Sequence, residues 1–216
     1  MTTMDVTRFG HAAVLVDAAG TRILIDPGTF SSAATFELTG LDAIIVTHQH
    51  PDHLDRDRIG GLLAANPRAR LLAEPETAAT LEGWDSTGAD VRFEIGGLTV
   101  TGVGSQHAVI LPSLPRVGNV GVLVTGTGEP TFFHPGDTYE YRPQGVDILA
   151  LPLSAPWAKV SETVEFLRAI NPRTAFPVHD CTIAEPAYGI YWMHVENHGG
   201  VDDLQRLPQD GSLAHA

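Results

Sequence analysis

The densest chemistry in this 216-residue chain lies in Thr47-His48-Gln49-His50-Pro51-Asp52-His53-Leu54, which puts three imidazoles and a carboxylate within six residues. Imidazole nitrogen and carboxylate oxygen suit zinc and other first-row divalent metals. In extended backbone His48 and His50 point to the same side, and the turn at Pro51-Asp52-His53 can aim the next two donors at a second ion. One loop can therefore serve two metals. An isolated histidine is ordinarily a surface or satisfied interior residue, but four donors at this spacing read as a metal site. Two divalent ions there would hold a hydroxide at neutral pH, and that hydroxide would be the nucleophile of a hydrolytic reaction.

Flanking elements must position this loop. The apolar run Ala43–Val46 reads as a strand entering it, and about Asp55–Ala65 as a helix leaving it, with Ile59, Leu62 and Leu63 facing inward before Asn66-Pro67. Runs rich in Val, Ile and Leu at 14–16, 22–25, 91–95, 98–103, 122–124, 131–133 and 148–151 predict further strands between Gly-rich turns. A second helix is predicted over about Ser161–Ile170, where Val160, Val164, Leu167 and Ile170 share a face and Asn171-Pro172 ends it. The 22 glycines and 15 prolines are scattered without a linker, so residues 1–216 read as one mixed α/β domain.

The chain also resembles itself. Residues 10–28 align without a gap to 118–136, with Gly10/Gly118, Val14/Val122, Leu15/Leu123, Val16/Val124 and Gly20/Gly128 among the identities. Residues 40–73 align to 145–178, including Asn66-Pro67-Arg68 with Asn171-Pro172-Arg173. Each half then reads as a hairpin followed by a strand-helix-strand unit. Two such halves packed sheet to sheet make a four-layer sandwich with an internal pseudo-two-fold, whose strand ends converge on one cleft. The alignment sets His134 opposite Asp26, each just before Pro-Gly. Both are candidates to orient a ligand imidazole through its other nitrogen, with a turn role as the alternative.

Composition narrows the partners. With 26 acidic residues against 13 Lys+Arg the formal net charge is −13, which suits neither nucleic acid nor another polyanion. No run approaches the roughly 20 apolar residues of a membrane span, and the start Met-Thr-Thr-Met-Asp lacks the features of a secretory signal. The expectation is a cytoplasmic protein without a membrane partner. The single cysteine, Cys181, reads as a packing residue and not a reactive thiol. No feature specifies an oligomeric state.

In order along the chain, His48-x-His50-x-Asp52-His53, His107 in Gly-Ser-Gln-His, Asp137 in His-Pro-Gly-Asp-Thr and His179 in Pro-Val-His-Asp resemble the metallo-β-lactamase superfamily. The resemblance runs from about residue 8 to 180 and implies that family's αβ/βα sandwich. It further implies that His48, His50 and His107 bind one metal and Asp52, His53 and His179 the other, with Asp137 bridging. Zinc is expected ahead of manganese or iron. Asp52 and Asp137 are the candidate catalytic carboxylates, Asp52 as a proton carrier on the leaving-group side. Phe9-Gly10-His11-Ala12-Ala13, Ile25-Asp26-Pro27 and the Gly-Asp-Thr segment are similar to the compact branch that contains the L-ascorbate-phosphate lactonase (UlaG-like proteins), and place His11 at the edge of the site. An exported β-lactamase is disfavoured by the missing signal segment, and Gly104-Ser105-Gln106-His107 departs from the Thr-Pro-Gly-His of glyoxalase II and persulfide dioxygenases.

The function implied is dinuclear metal-dependent hydrolysis of a small ester, lactone or phosphodiester. The alternatives are a mononuclear iron oxidoreductase like the persulfide dioxygenases, and a metal-bound protein without turnover. Substrate contacts are expected from Ala108–Asn119 and Ser154–Lys159. There Arg116 or Lys159 either holds an anionic group or is an ordinary exposed cation. Tyr139 and Trp157 map to no characterised substrate pocket. Tyr188, Tyr191, Trp192 and Met193 form either a helix packed on the sandwich or a dimer contact, and His194, His198 and His215 are expected at the surface.

Overall fold

The computed structural model describes residues 4–211; His215 and the residues Met1 to Thr3 lie outside them. The first sheet carries β1 (Asp5–Arg8), β2 (Val14–Ala18), β3 (Thr21–Ile25), β4 (Ala43–Val46), β5 (Arg70–Ala73) and β6 (Asp85–Ser86), in that spatial order. The second carries β7 (Arg92–Ile95), β8 (Leu98–Val103), β9 (Gly121–Gly126), β10 (Phe132–His134), β11 (Ile148–Pro152), β12 (Thr174–Val178) and β13 (Asp203–Leu204), again in chain order. In each sheet an antiparallel hairpin (β2-β3, β9-β10) leads into parallel strands (β3-β4-β5, β10-β11-β12). The two halves thus repeat one topology, with α1 (Ile59–Ala65) and α3 (Val160–Ile170) as equivalent crossovers and the short α2 (Pro75–Ala78) following β5.

Period-2 alternation builds the layers. On β4, Ala43 and Ile45 face the core between the sheets, while Ile44 and Val46 face α1 with Leu54 and Leu62. On β11, Ile148 and Ala150 join the same central core, while Leu149 and Leu151 pack beneath α3 and α4 (Glu185–His198) with Phe166, Leu167 and Trp192. These strands are covered on both faces and therefore read as continuous apolar runs. Tyr188, Trp192 and Val195 fix α4 against the second sheet, so this segment is a packing helix.

The structure corrects three readings. The first helix begins at Ile59 and not Asp55, because Asp55 instead accepts the N–H groups of Asp57 and Arg58 in a capped turn. The gapless self-alignment slips by one residue in β10 and again in β12. Ala18 pairs with Thr21 across a two-residue turn, whereas Glu129 bonds back to Gly126 in a longer one, so His134 is equivalent to Ile25 and not Asp26. Facing confirms this: Ile23 and Phe132 both enter the central core, and a one-residue slip would reverse them. Cys181 is exposed, with its Sγ 3.4 Å from Gln209 Oε1, and packs into no core.

Candidate metal centre

The carboxyl ends of β3, β4, β8, β10 and β12 lie at one end of the sandwich, and each leads into a loop that carries a predicted donor or its support. Backbone bonds tie these loops together: Val120 N–H to Thr47 O at 3.0 Å and His179 N–H to His11 O at 3.0 Å across the two sheets, and Ala108 N–H to Asp137 O at 2.8 Å within the second. Gly28 lies where a Cβ would overlap the Asp52 carbonyl group, so the His-rich loop folds directly over it. His11, Asp26 and His179 have φ of 49°, 51° and 54°. Left-handed backbone at non-glycine residues is strained, and three such positions converge here.

The donors gather into two groups, His48, His50, His107 and Asp137, and His11, Asp52, His53 and His179, each with its ligand atoms within 4.8 Å of one another. In the first, His48 Nε2 lies 3.1 Å from His50 Nδ1, and His107 Nε2 lies 3.4 Å from Asp137 Oδ2. In the second, Asp52 Oδ2 lies 3.2 Å from His11 Nε2 and 3.3 Å from His179 Nε2. Asp137 stands between them, with Oδ1 3.1 Å from His53 Nε2 and Oδ2 3.1 Å from His179 Nε2. All seven predicted donors are thus brought together, and His11 is added to the second group.

The far side of four of the rings is committed elsewhere. His53 Nδ1 bonds Asp26 Oδ2 at 2.7 Å, His107 Nδ1 the Ala108 carbonyl at 2.7 Å, His179 Nδ1 the Ser154 carbonyl at 2.7 Å, and His48 Nδ1 the Thr47 hydroxyl at 3.1 Å. Where the acceptor is a carboxylate or carbonyl, Nδ1 must carry the proton, so the neutral ring that binds a metal offers its Nε2 lone pair inward. Asp26 also accepts the Thr47 N–H and hydroxyl, at 2.8 and 2.7 Å. His134 instead bonds the Ala12 carbonyl through Nε2 and the Gly136 N–H through Nδ1, which is the turn role.

Charge and burial act on these groups in opposite directions. Burial pushes His48 down, and neighbouring His53 adds to the effect, holding it well below the ordinary histidine range. Burial would raise Asp137, but the adjacent His179 and His53 outweigh it and keep the carboxylate well below its usual range. Burial would lower His179, yet the Asp137 and Asp52 carboxylates beside its Nε2 lift it to about 10. His53, buried between Asp137 and Asp26, is likewise held well above its ordinary value. Protons on His53 and His179 here offset two buried carboxylates, the electrostatic task that a cation performs better.

The residues fit metal ions. Buried His53 Nε2, His107 Nε2, His179 Nε2 and Asp137 Oδ1 make no hydrogen bond despite their mutual closeness. Such atoms are costly unless something else satisfies them, and three imidazoles plus carboxylate oxygen is a donor set for divalent zinc, manganese or iron.

Several supports carried no sequence signal. Asn119 Oδ1 accepts the Asp137 N–H at 2.9 Å, and the Trp157 indole donates to Asp137 Oδ2 at 2.9 Å. Next to His179, Asp180 pairs with buried Arg8 at 2.8 Å and accepts from Tyr188 Oη at 2.9 Å. Tyr139 is buried, its hydroxyl donating to the Pro152 carbonyl at 2.7 Å. Arg116 is committed to Glu140 and the His107 carbonyl, both at 2.6 Å, and Lys159 is 77% exposed beside Glu162. His194 is half-buried and His198 exposed on α4. No helix among the described residues is long and apolar enough to cross a membrane.

Comparison with known proteins agrees with this geometry. Residues 5–179 match the family described as β-lactamase superfamily domain, a span that holds every donor named above. The chain is 43% identical over 213 residues to Protein Rv0786c of Mycobacterium tuberculosis, covering 97% of this chain and 99% of that protein. It is 35% identical over 155 residues to a UPF0173 metal-dependent hydrolase of Xanthobacter autotrophicus, covering 64% and 63% respectively. Among solved structures, the metallo-β-lactamase fold protein YhfI of Bacillus subtilis superposes over 100% of both chains with a TM-score of 0.76 at 15% identity, a likeness of fold.

Proposed function

The chain belongs to the β-lactamase superfamily and is a metal-dependent hydrolase, and from that premise we propose that it uses two divalent ions to cleave a small ester, lactone or phosphodiester. His48, His50 and His107 would hold one ion and Asp52, His53 and His179 the other, with Asp137 shared and zinc ahead of manganese or iron. The observation that carries this reading is the set of unpartnered inward atoms, His53, His107 and His179 Nε2 with Asp137 Oδ1, behind which the three rings are anchored by outer hydrogen bonds. Bound there, the ions supply Lewis acidity and bring the pKa of water toward neutrality.

The chain's own residues provide the rest. Asp137 is buried and held from outside by Trp157 and Asn119, so its role is to fix the two donor groups relative to each other. Asp52 is 24% exposed, its Oδ2 hydrogen-bonded to His11 and 3.3 Å from His179 Nε2, which sets a carboxylate at the mouth to receive or return a proton. His11, Phe9-Gly10 and the Gly-Asp-Thr turn support placement in the compact UlaG-like branch, with a small molecule as substrate and the cytoplasm as setting.

Metal analysis of protein purified without added metal, paired with a panel of lactones, phosphodiesters and thioesters under zinc, manganese and iron separately, tests the proposal. Up to two equivalents of metal and turnover of a panel member are expected. The double variant His48→Ala/Asp137→Ala should lose both, and full metal occupancy in it overturns the assignment.

A further inference from the structure

A recess beside the metal centre has no role in the hydrolytic reading so far. His50 and His107 form its inner end, and Ile110, Leu114, Pro115 and Val117 line its sides around a volume of about 150 Å³. The loop that builds it departs directly from a metal donor. Its neck is closed by His107 N–H to Val117 O at 3.1 Å and by the Arg116 guanidinium to His107 O at 2.6 Å, and Leu114 N–H bonds Leu111 O at 3.0 Å within it.

This loop is apolar where a surface loop is ordinarily polar. Val109, Leu111 and Leu114 are each about half exposed, and Phe30 is equally exposed beside the site, edge-on to the His11 ring at 5.2 Å. Seven large apolar side chains are exposed among the described residues, and these four belong to loops of the metal centre. Apolar surface gathered at one place on a soluble fold marks a binding site more often than chance.

Charge separates the recess from its neighbour. On the other side of Ala108 a second cavity is lined by Val109, Tyr139 and Trp157 but also by Arg142, Glu140, Glu162 and Glu165, and an apolar group would strand those charges away from water there. Arg116 borders the apolar recess, with its Nε turned to the His107 carbonyl and its Nη2 to Glu140, so its charge is already paired.

We propose that the substrate is a carboxylic ester or lactone whose acyl side carries an apolar group of about six carbons, seated between Ile110, Leu114, Pro115 and Val117, with the scissile carbonyl at the His50 and His107 end. The size follows from the volume, since an apolar cavity of about 150 Å³ accommodates benzene. Water adds to the acyl carbon, the acyl C–O bond breaks and the departing oxygen takes the proton, giving an alcohol and a short-chain acid from an ester or a single hydroxyacid from a lactone. This inference rests on the hydrolase reading above.

The test is a homologous series of methyl esters with acyl chains of two to twelve carbons, assayed on the full-length zinc-loaded protein. kcat/KM should rise about fourfold per added methylene up to about six carbons and then level off. Leu114→Asp and the recess-filling Ile110→Trp should each bring the hexanoyl-to-acetyl ratio toward one, with circular dichroism confirming the fold. Independently of turnover, hexanoate should raise the wild-type melting temperature more than acetate at equal concentration, and Leu114→Asp should abolish that difference. Hydrolysis that does not depend on chain length, or a ratio unchanged in both folded variants, overturns the apolar recess and leaves the hydrolase reading intact. Absence of hydrolysis across the series and the wider panel with zinc, manganese and iron would count against the hydrolase reading itself; hexanoate protection would still report on the recess.

Discussion

Asp26→Asn isolates how the protein sets the donor atom of a ligand histidine. Asp26 is fully buried, and its Oδ2 accepts from both His53 Nδ1 and the Thr47 hydroxyl while its Oδ1 accepts from the Thr47 N–H. Asparagine has the same shape and tolerates the φ of 51° at this position, so neither packing nor backbone confounds the change. It cannot reproduce the bonding. With its NH2 toward His53, two donors face each other unless the imidazole shifts its proton to Nε2, which blocks the lone pair that faces Asp52 and Asp137. With its NH2 toward Thr47, the buried Thr47 N–H loses its acceptor instead. The first outcome weakens the group of Asp52, His53 and His179, and the second weakens that of His48, His50 and His107 through Thr47, whose hydroxyl bonds His48 Nδ1. Loss of such an outer partner lowers metal affinity by roughly 10- to 100-fold, about 1.4 to 2.8 kcal/mol. Competition titration with a chelator should therefore split one metal equivalent from the other in Asp26→Asn, with the melting temperature of the fully loaded protein recovered at saturating zinc. Two equivalents bound with wild-type affinity would refute the tautomer argument.

Two further outcomes follow from the same geometry. In Gly28→Ala the new methyl meets the Asp52 carbonyl and the His53 N–H, which are backbone and cannot swing away. Overpacking of that kind costs about 3 kcal/mol, which for a chain of this size lowers the melting temperature by about 6–12 °C. Calorimetry and metal counting should show both effects, and wild-type values in each would discount the loop contact. The second outcome concerns the metal-free protein. His53 and His179 take up protons more tightly folded than unfolded, so the stability they contribute is complete below about pH 6.5 and is lost as pH rises toward the His179 value of about 10. Below pH 6.5 buried His48 and His134 reverse the trend, because unfolding lets them protonate. Chelator-treated protein should thus lose thermal stability between pH 7 and 10 while metal-loaded protein, whose ions replace those protons, does not; parallel profiles for the two forms would contradict this.

What could be read from the sequence follows the distance over which each feature is encoded. His48, His50, Asp52 and His53 sit within six residues, and their chemistry is legible without a fold. Strands β4 and β11 are legible because both faces are buried and the apolar run is unbroken. Arg8 and Asp180 lie 172 residues apart, and no spacing rule joins them. The acceptors that orient His107 and His179 are the backbone carbonyls of Ala108 and Ser154, and a carbonyl has no residue type to recognise. The slip in β10 was within reach, because period-2 facing places Phe132 with Ile23 in the central core, but matching Pro27-Gly28 to Pro135-Gly136 hid the longer turn.

The duplication also explains why the second half lacks a histidine cluster of its own. Residues 153–158 follow β11 as residues 48–53 follow β4, and the two loops keep a proline in common, Pro51 and Pro156. The first loop points donors into the cleft. The second supplies the Ser154 carbonyl to His179 and the Trp157 indole to Asp137. Two complete sets of donors in one cleft would leave buried donor atoms that two ions could not all satisfy. A loop that orients ligands instead of adding them provides the outer hydrogen bonds a metal site requires. On this reasoning Trp157→Phe, which keeps the ring and removes the donor, should loosen metal held by Asp137 several-fold while leaving the fold's stability within about 1 kcal/mol. An unchanged chelator titration in that variant would show that the second loop only packs against the centre.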